Sequence, residues 1–150
     1  MVLLSNLVGA LAFAWVLGNT DVFQPEVRRA FEQIARESAD VGFSAALLRG
    51  IFAGWLIAMV VWLLAAVESG HALIIIILTY IVGLGGFTHI VAGSAEVFYL
   101  VTTGAASWLS YLGSYMLPTL VGNIIGGVSL VSALNHAQVV AGRGARVRSK

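Results

Sequence analysis

One stretch limits what this chain can fold into more than any other: VGLGGFTHIVAGSAEVF, Val82 to Phe98. It lies inside the third of four strongly apolar segments, yet Gly83, Gly85, Gly86, Gly93, His89 and Glu96 interrupt it. Glycine costs a helix interior about 1 kcal/mol per residue relative to alanine. Ionisable groups at membrane depth are rare and expensive. Backbone inside a bilayer breaks only where protein buries it or where it lines a cavity. A broken span with a histidine at the break is therefore the first candidate for a transport site.

That argument needs a membrane, and the composition supplies one. The chain is 59% hydrophobic and 10% charged, with a mean hydropathy of +0.95. Soluble domains carry about 25% charged residues. The fold class is an all-α integral membrane protein whose first partner is the lipid bilayer. A net charge of +1 gives no ground for a nucleic-acid partner, and none is expected. With no cysteine, disulfides and thiolate metal sites are excluded. No metal or cofactor is expected.

Span one runs from about Val2 to Leu17, near the lower limit of about 17 residues for crossing a bilayer. Hydrophobic sequence begins at the first residue. Ala12 and Ala14 form an A-x-A pattern, but the missing basic flank argues against a cleaved signal peptide. The sequence reads better as one that begins at the edge of a spanning helix. Residues 20–42 form a polar linker. Within it, Val27, Ala30, Phe31 and Ile34 fall at i, i+3, i+4 and i+7 and predict one apolar face of a short helix opened by Pro25. It is expected at the interface or over the entrance to the next span. A plain solvated linker is the simpler reading.

Span two covers Phe43 to about Val67, with Gly50 and Gly54 in a G-x-x-x-G arrangement. Arg49, near its start, is placed to snorkel or to face an aqueous vestibule. Span three runs from His71 to about Thr103. As a straight helix it would be about 48 Å long, against a hydrocarbon core of about 30 Å. A break between Gly83 and Gly93 resolves the excess. A loop from Gly104 to Tyr115 follows, with Trp108, Tyr111 and Tyr115 suited to an interfacial belt. Span four runs from Met116 to about Val140, with Pro118 in its first turn. The basic tail, residues 142–150, holds Arg143, Arg146, Arg148 and Lys150 and suits the cytoplasmic side.

Spans one and four resemble each other. SNLVGALAFAWVLGN from Ser5 aligns without gaps on GNIIGGVSLVSALNH from Gly122, matching Asn6 to Asn123 and Gly9 to Gly126. The second copy lies three spans on from the first, an odd offset, so the two must run in opposite directions. This is the arithmetic of an inverted-topology repeat, with a site at the pseudo-symmetry interface. Residues 43–141 then form one repeat of three spans, and residues 1–19 form the last helix of the other. An asparagine in lipid needs a partner. Asn6 and Asn123 are expected to face the pore or the broken backbone, or else to hold helix pairs together.

GNIIGG (Gly122 to Gly127), NLVGA (Asn6 to Ala10) and the GFTH crossing (Gly86 to His89) together resemble the formate/nitrite transporter family. The resemblance extends over essentially the whole chain before the basic tail. It implies a six-span protomer with aquaporin-like inverted (3+3) repeats, assembled as a pentamer with one pore per protomer in the cytoplasmic membrane. It implies passage of small monovalent anions such as formate and nitrite, or their acids, with His89 matching the family's central histidine. Gly93 stands where the family has an asparagine. The family's lysine in the preceding region is absent, with Arg36 and Arg49 the nearest cations. These departures mark a divergent branch.

The expected mechanism follows from desolvation. A small anion at the bilayer centre is costly, and protonation removes most of the cost. An imidazole titrates near neutrality and can give a hydrogen bond or a proton, and half-helix amino termini add positive partial charge. The expected pore residues are His89, Thr88, Phe87, Gly86, Gly93, Ser94, Asn123 and Asn6. Glu96 and Arg49 are candidate relay or vestibule charges. For Glu96 an interface carboxylate is the simplest reading. The rival from another class is a membrane scaffold or assembly subunit without a permeant. An enzyme is not expected: H-E-x-x-H, G-x-S-x-G and paired carboxylates are all missing.

Overall fold

A computed structural model describes residues 1–148, with side chains described as far as residue 140. The basic tail continues the last helix to Arg148. Residues 149 and 150, and the tail's side chains, lie outside the described residues. Every element is helical: α1 (Val2–Asn19), α2 (Pro25–Ala39), α3 (Phe43–Ala66), α4 (His71–Leu84), α5 (Ala92–Thr102), α6 (Trp108–Ser110) and α7 (Leu117–Arg148). A π-helical turn, Tyr111–Met116, joins α6 to α7. Among the described residues three helices are long and apolar enough to cross a membrane: Val2–Asn19, Phe43–Ala66 and Trp108–Val140. His71–Leu84 is a shorter apolar helix.

The third segment breaks inside the expected glycine cluster. α4 ends at Leu84, α5 begins at Ala92, and seven non-helical or turn residues cross between them. Gly86 adopts φ +58°, a left-handed backbone that residues with a Cβ rarely take. The turn is tightened by the Gly86 amide donating to Gly83 and the Phe87 amide donating to Val82, at 3.1 and 3.0 Å.

Two packing units hold the crossing between them. In the first, α3 lies along α7 with backbone almost touching backbone. A Cβ on Gly122 or Gly126 would strike the carbonyl oxygen of Leu47 or Ile51. A Cβ on Gly50 would stand 3.1 Å from the Thr119 carbonyl and 3.3 Å from Gly122 Cα. Small residues four apart on both helices allow this approach, which gains dispersion contact where the hydrophobic effect gives none. Trp55 Nε1 closes the far end of the seam by donating to Ser129 Oγ at 2.8 Å.

The second unit is an apolar cluster of Ala14 and Leu17 from α1, Ala35 from α2, Val97 to Leu100 from α5, and Tyr111 and Tyr115 from the π turn. Phe31 links it edge-on to Phe13 and to Tyr99 at 6.0 and 5.5 Å. The amphipathic helix α2 forms, and Phe31 of its apolar face packs on the cluster. Val27 and Ile34 are 45% and 48% exposed, while Ala35 is fully buried and Ser38 and Ala39 are half-buried. Small side chains let α2 approach α5, and an apolar count does not see them.

The expected loop from Gly104 to Tyr115 is corrected. Only residues 103–107 are non-helical, and span four starts at Trp108. Trp108 is exposed, as a belt residue would be, but Tyr111 and Tyr115 are 2% and 3% exposed inside the cluster. Pro118 thus lies inside the span rather than in its first turn. It has no N–H for the preceding turn, and the chain widens there, with the Leu117 amide donating to the Leu112 carbonyl five residues back.

Candidate functional site

The crossing is tied down by one side chain from a distant element. Asn123 of α7 accepts from the Ile90 amide at 2.9 Å through Oδ1. Its Nδ2 donates to the Thr88 carbonyl at 3.0 Å and to the Gly50 carbonyl of α3 at 2.9 Å. Donor and acceptor of one amide thus satisfy freed backbone on both sides of His89, which a bilayer interior could not do. Of the two roles expected for this residue, the structure gives it both: it clasps the broken backbone and joins α7 to α3.

His89 is half-buried between these bonds. Its Nδ1 accepts from the Ala92 amide in the first turn of α5 at 3.4 Å. A ring that accepts through Nδ1 carries its proton on Nε2 when neutral, and no partner for Nε2 occurs among the described residues. The ring therefore holds a donor in reserve. Its backbone carbonyl accepts from the Gly93 amide at 2.9 Å and from the Tyr115 hydroxyl at 3.4 Å.

Gly93 explains how Tyr115 gets there. A Cβ on Gly93 would occupy the place of the Tyr115 hydroxyl, so the missing side chain is filled from the π turn. Sequence reasoning passed over Tyr115. The signal was present in the four-residue spacing of Tyr111, Tyr115, Thr119 and Asn123, which forms a polar-tipped stripe on one face of span four.

A cavity of about 510 Å³ opens beside the crossing. Gly86, Phe87, Thr88, His89 and Gly93 line its crossing side, Arg49 and Ile57 come from α3, Thr79 and Val82 from α4, Glu96 from α5, Tyr115 from the π turn, and Ile34, Glu37 and Ser38 from α2. α2 therefore lies over the cavity. Phe87 stacks on Phe52 at 5.5 Å and gives the cavity an apolar wall. Arg49 is exposed and lines the cavity. Glu96 also faces it, half-buried, with Ser38 Oγ donating to Oε2.

Three expected pore groups are placed differently. Thr88 Oγ1 donates to the Ala46 carbonyl of α3 at 2.8 Å, so its hydroxyl is spent on packing although the residue borders the cavity. Ser94 is fully buried and its hydroxyl pairs with Tyr111 at 2.9 Å, outside the cavity lining. Asn6 is exposed on α1 and is not brought to the crossing. The physical reason is common to Thr88 and Ser94: a hydroxyl beside a carbonyl or phenol in low dielectric takes that partner.

What these features define is an all-helical bundle with membrane-spanning helices, in which a helix break places a histidine on the lining of a cavity. The family model described as formate/nitrite transporter matches residues 1–137. The chain belongs to the formate/nitrite transporter family. It is 37% identical over 139 residues to the inner membrane protein YfdC of Escherichia coli, covering 93% of this chain and 45% of that protein. It is 28% identical to the uncharacterized transporter YrhG of Bacillus subtilis, over 89% of this chain and 52% of that one. Formate-nitrite transporter 2 of Toxoplasma gondii is 31% identical over 87% of this chain and 26% of its own length. The chain thus spans about half or less of the curated relatives it matches. No solved structure matches it significantly.

Proposed function

We propose that this chain forms half of a pore that passes small monovalent anions of the formate or nitrite kind, or their neutral acids, across the cytoplasmic membrane. The observation that carries the reading is His89, set at a helix break, lining the cavity and with no partner for Nε2 among the described residues. Counting α4 and α5 as one broken span gives four spans, the last three forming one inverted repeat of an aquaporin-like 3+3 protomer. The carboxy terminus is cytoplasmic, and protomers assemble as pentamers, one pore each. Asn6, equivalent to Asn123 in the repeat, clasps the crossing of the first repeat as Asn123 clasps that of the second.

In this mechanism the permeant meets Arg49 in the vestibule and Phe87 at the apolar wall. His89 then gives it a hydrogen bond or a proton from Nε2. The amino terminus of α5, beside His89, adds positive partial charge. Phe87, stacked on Phe52, gives the permeant an apolar surface beside His89.

The test is formate flux through the full-length protein in proteoliposomes, measured across pH, with His89→Leu against wild type. Losing one charge-assisted bond of about 1.5 kcal/mol should slow flux at least about tenfold and flatten its pH dependence. Unchanged flux with an unchanged pH profile overturns the reading.

A further inference from the structure

Glu96 is an unexpected charge for an anion path. It lies on α5 two turns beyond His89 and faces the same cavity. The groups that share the cavity with it come from several elements: Ser38 and Glu37 from α2, Arg49 from α3, His89 from the crossing and Tyr115 from the π turn. Among the described residues neither Glu96, Glu37 nor Arg49 forms an ion pair. Two carboxyl groups therefore face the cavity against one permanent cation, and none is cancelled by contact. Glu37 is exposed, where water and salt screen it. Glu96 is half-buried, where the effective dielectric is lower and its charge reaches further. An anion entering this cavity is repelled by an ionised Glu96, and a neutral acid is not.

Resting on the transport reading above, we infer that Glu96 is a specificity-determining residue that favours permeants able to carry a proton over anions that stay charged. The rival explanation is mechanical: Glu96 serves only as the acceptor by which Ser38 docks α2. The two differ in what they require. Docking needs an acceptor, which glutamine also offers, whereas selectivity needs the charge.

The experiment measures formate and nitrate flux through the full-length protein in proteoliposomes at neutral pH. Formate is the anion of a weak acid, and nitrate remains an anion throughout. The variants are Glu96→Gln, Glu96→Asp and Ser38→Ala, each checked for helix content and a monodisperse profile. Glu96→Gln should raise the nitrate-to-formate ratio about fivefold, the scale of one removed charge in a partly wet cavity. Glu96→Asp and Ser38→Ala, which keep the charge, should leave the ratio within about twofold of wild type. A ratio indifferent to Glu96→Gln overturns the inference, and so does a Ser38→Ala shift equal to that of Glu96→Gln. Wild type passing neither ion overturns the transport reading itself. Wild type that passes formate while the ratio ignores Glu96→Gln overturns this inference alone.

Discussion

Gly93 and Tyr115 share one volume: the side chain that Gly93 lacks is replaced by the Tyr115 hydroxyl, which reaches the His89 carbonyl. Adding a methyl by Gly93→Ala forces the ring aside, an overpacking that costs about 1–3 kcal/mol. Tyr115→Phe removes the colliding oxygen. The double variant should recover about 1 kcal/mol or more of the loss, since residues in contact do not act additively. Thermal melting of the four proteins in detergent measures it, and strict additivity would refute the shared volume. Asn123 was legible because a carboxamide in an apolar span must find partners. Tyr115 was not, because a tyrosine near a span's end reads equally well as an interfacial anchor. Only the distant Gly93, with no side chain of its own, distinguishes the two.

At the scale of elements, the α3–α7 seam sets the floor on which the crossing rests. Gly50 and Gly54 were readable as one half of a close contact, and Gly122 and Gly126 as small residues. Their pairing was not, since small-residue spacing names no partner. Gly126→Ala aims a methyl at the Ile51 carbonyl oxygen. The helices must separate, pulling Asn123 Nδ2 from the Gly50 carbonyl. We expect a loss of about 2–3 kcal/mol, read as a lower melting temperature and a raised susceptibility to protease. A melting point within error of wild type would show that the seam is looser than described. The packing of α2 has a related cause. Its inward side uses Ala35, Ser38 and Ala39, chosen by closeness to α5 rather than by apolar bulk.

For the molecule as a whole, the break in the third segment is legible in its length and glycine content. What surrounds the break is not, because a cavity is made by elements far apart in sequence. The chain has no cysteine, so single cysteines report directly on which surfaces meet water. Val82→Cys, lining the cavity, should react with a charged, membrane-impermeant thiol reagent in proteoliposomes, and excess formate should slow the reaction. Ile76→Cys, 62% exposed on the apolar flank of α4, should stay unmodified where lipid covers it. Equal labelling at both positions would contradict a wet cavity in a dry surround.

The clasp by Asn123 has a consequence for the order in which the structure is made. Synthesis delivers α4, the crossing and α5 more than twenty residues before Asn123 leaves the ribosome. Until then the Ile90 amide and the Thr88 carbonyl have no protein partner inside the membrane. The nascent hairpin must wait in the wet lateral opening of the insertion machinery, or beside its water, for the last span to arrive. The crossing is thus sealed only after α5 is complete, and a stall before residue 123 leaves it open.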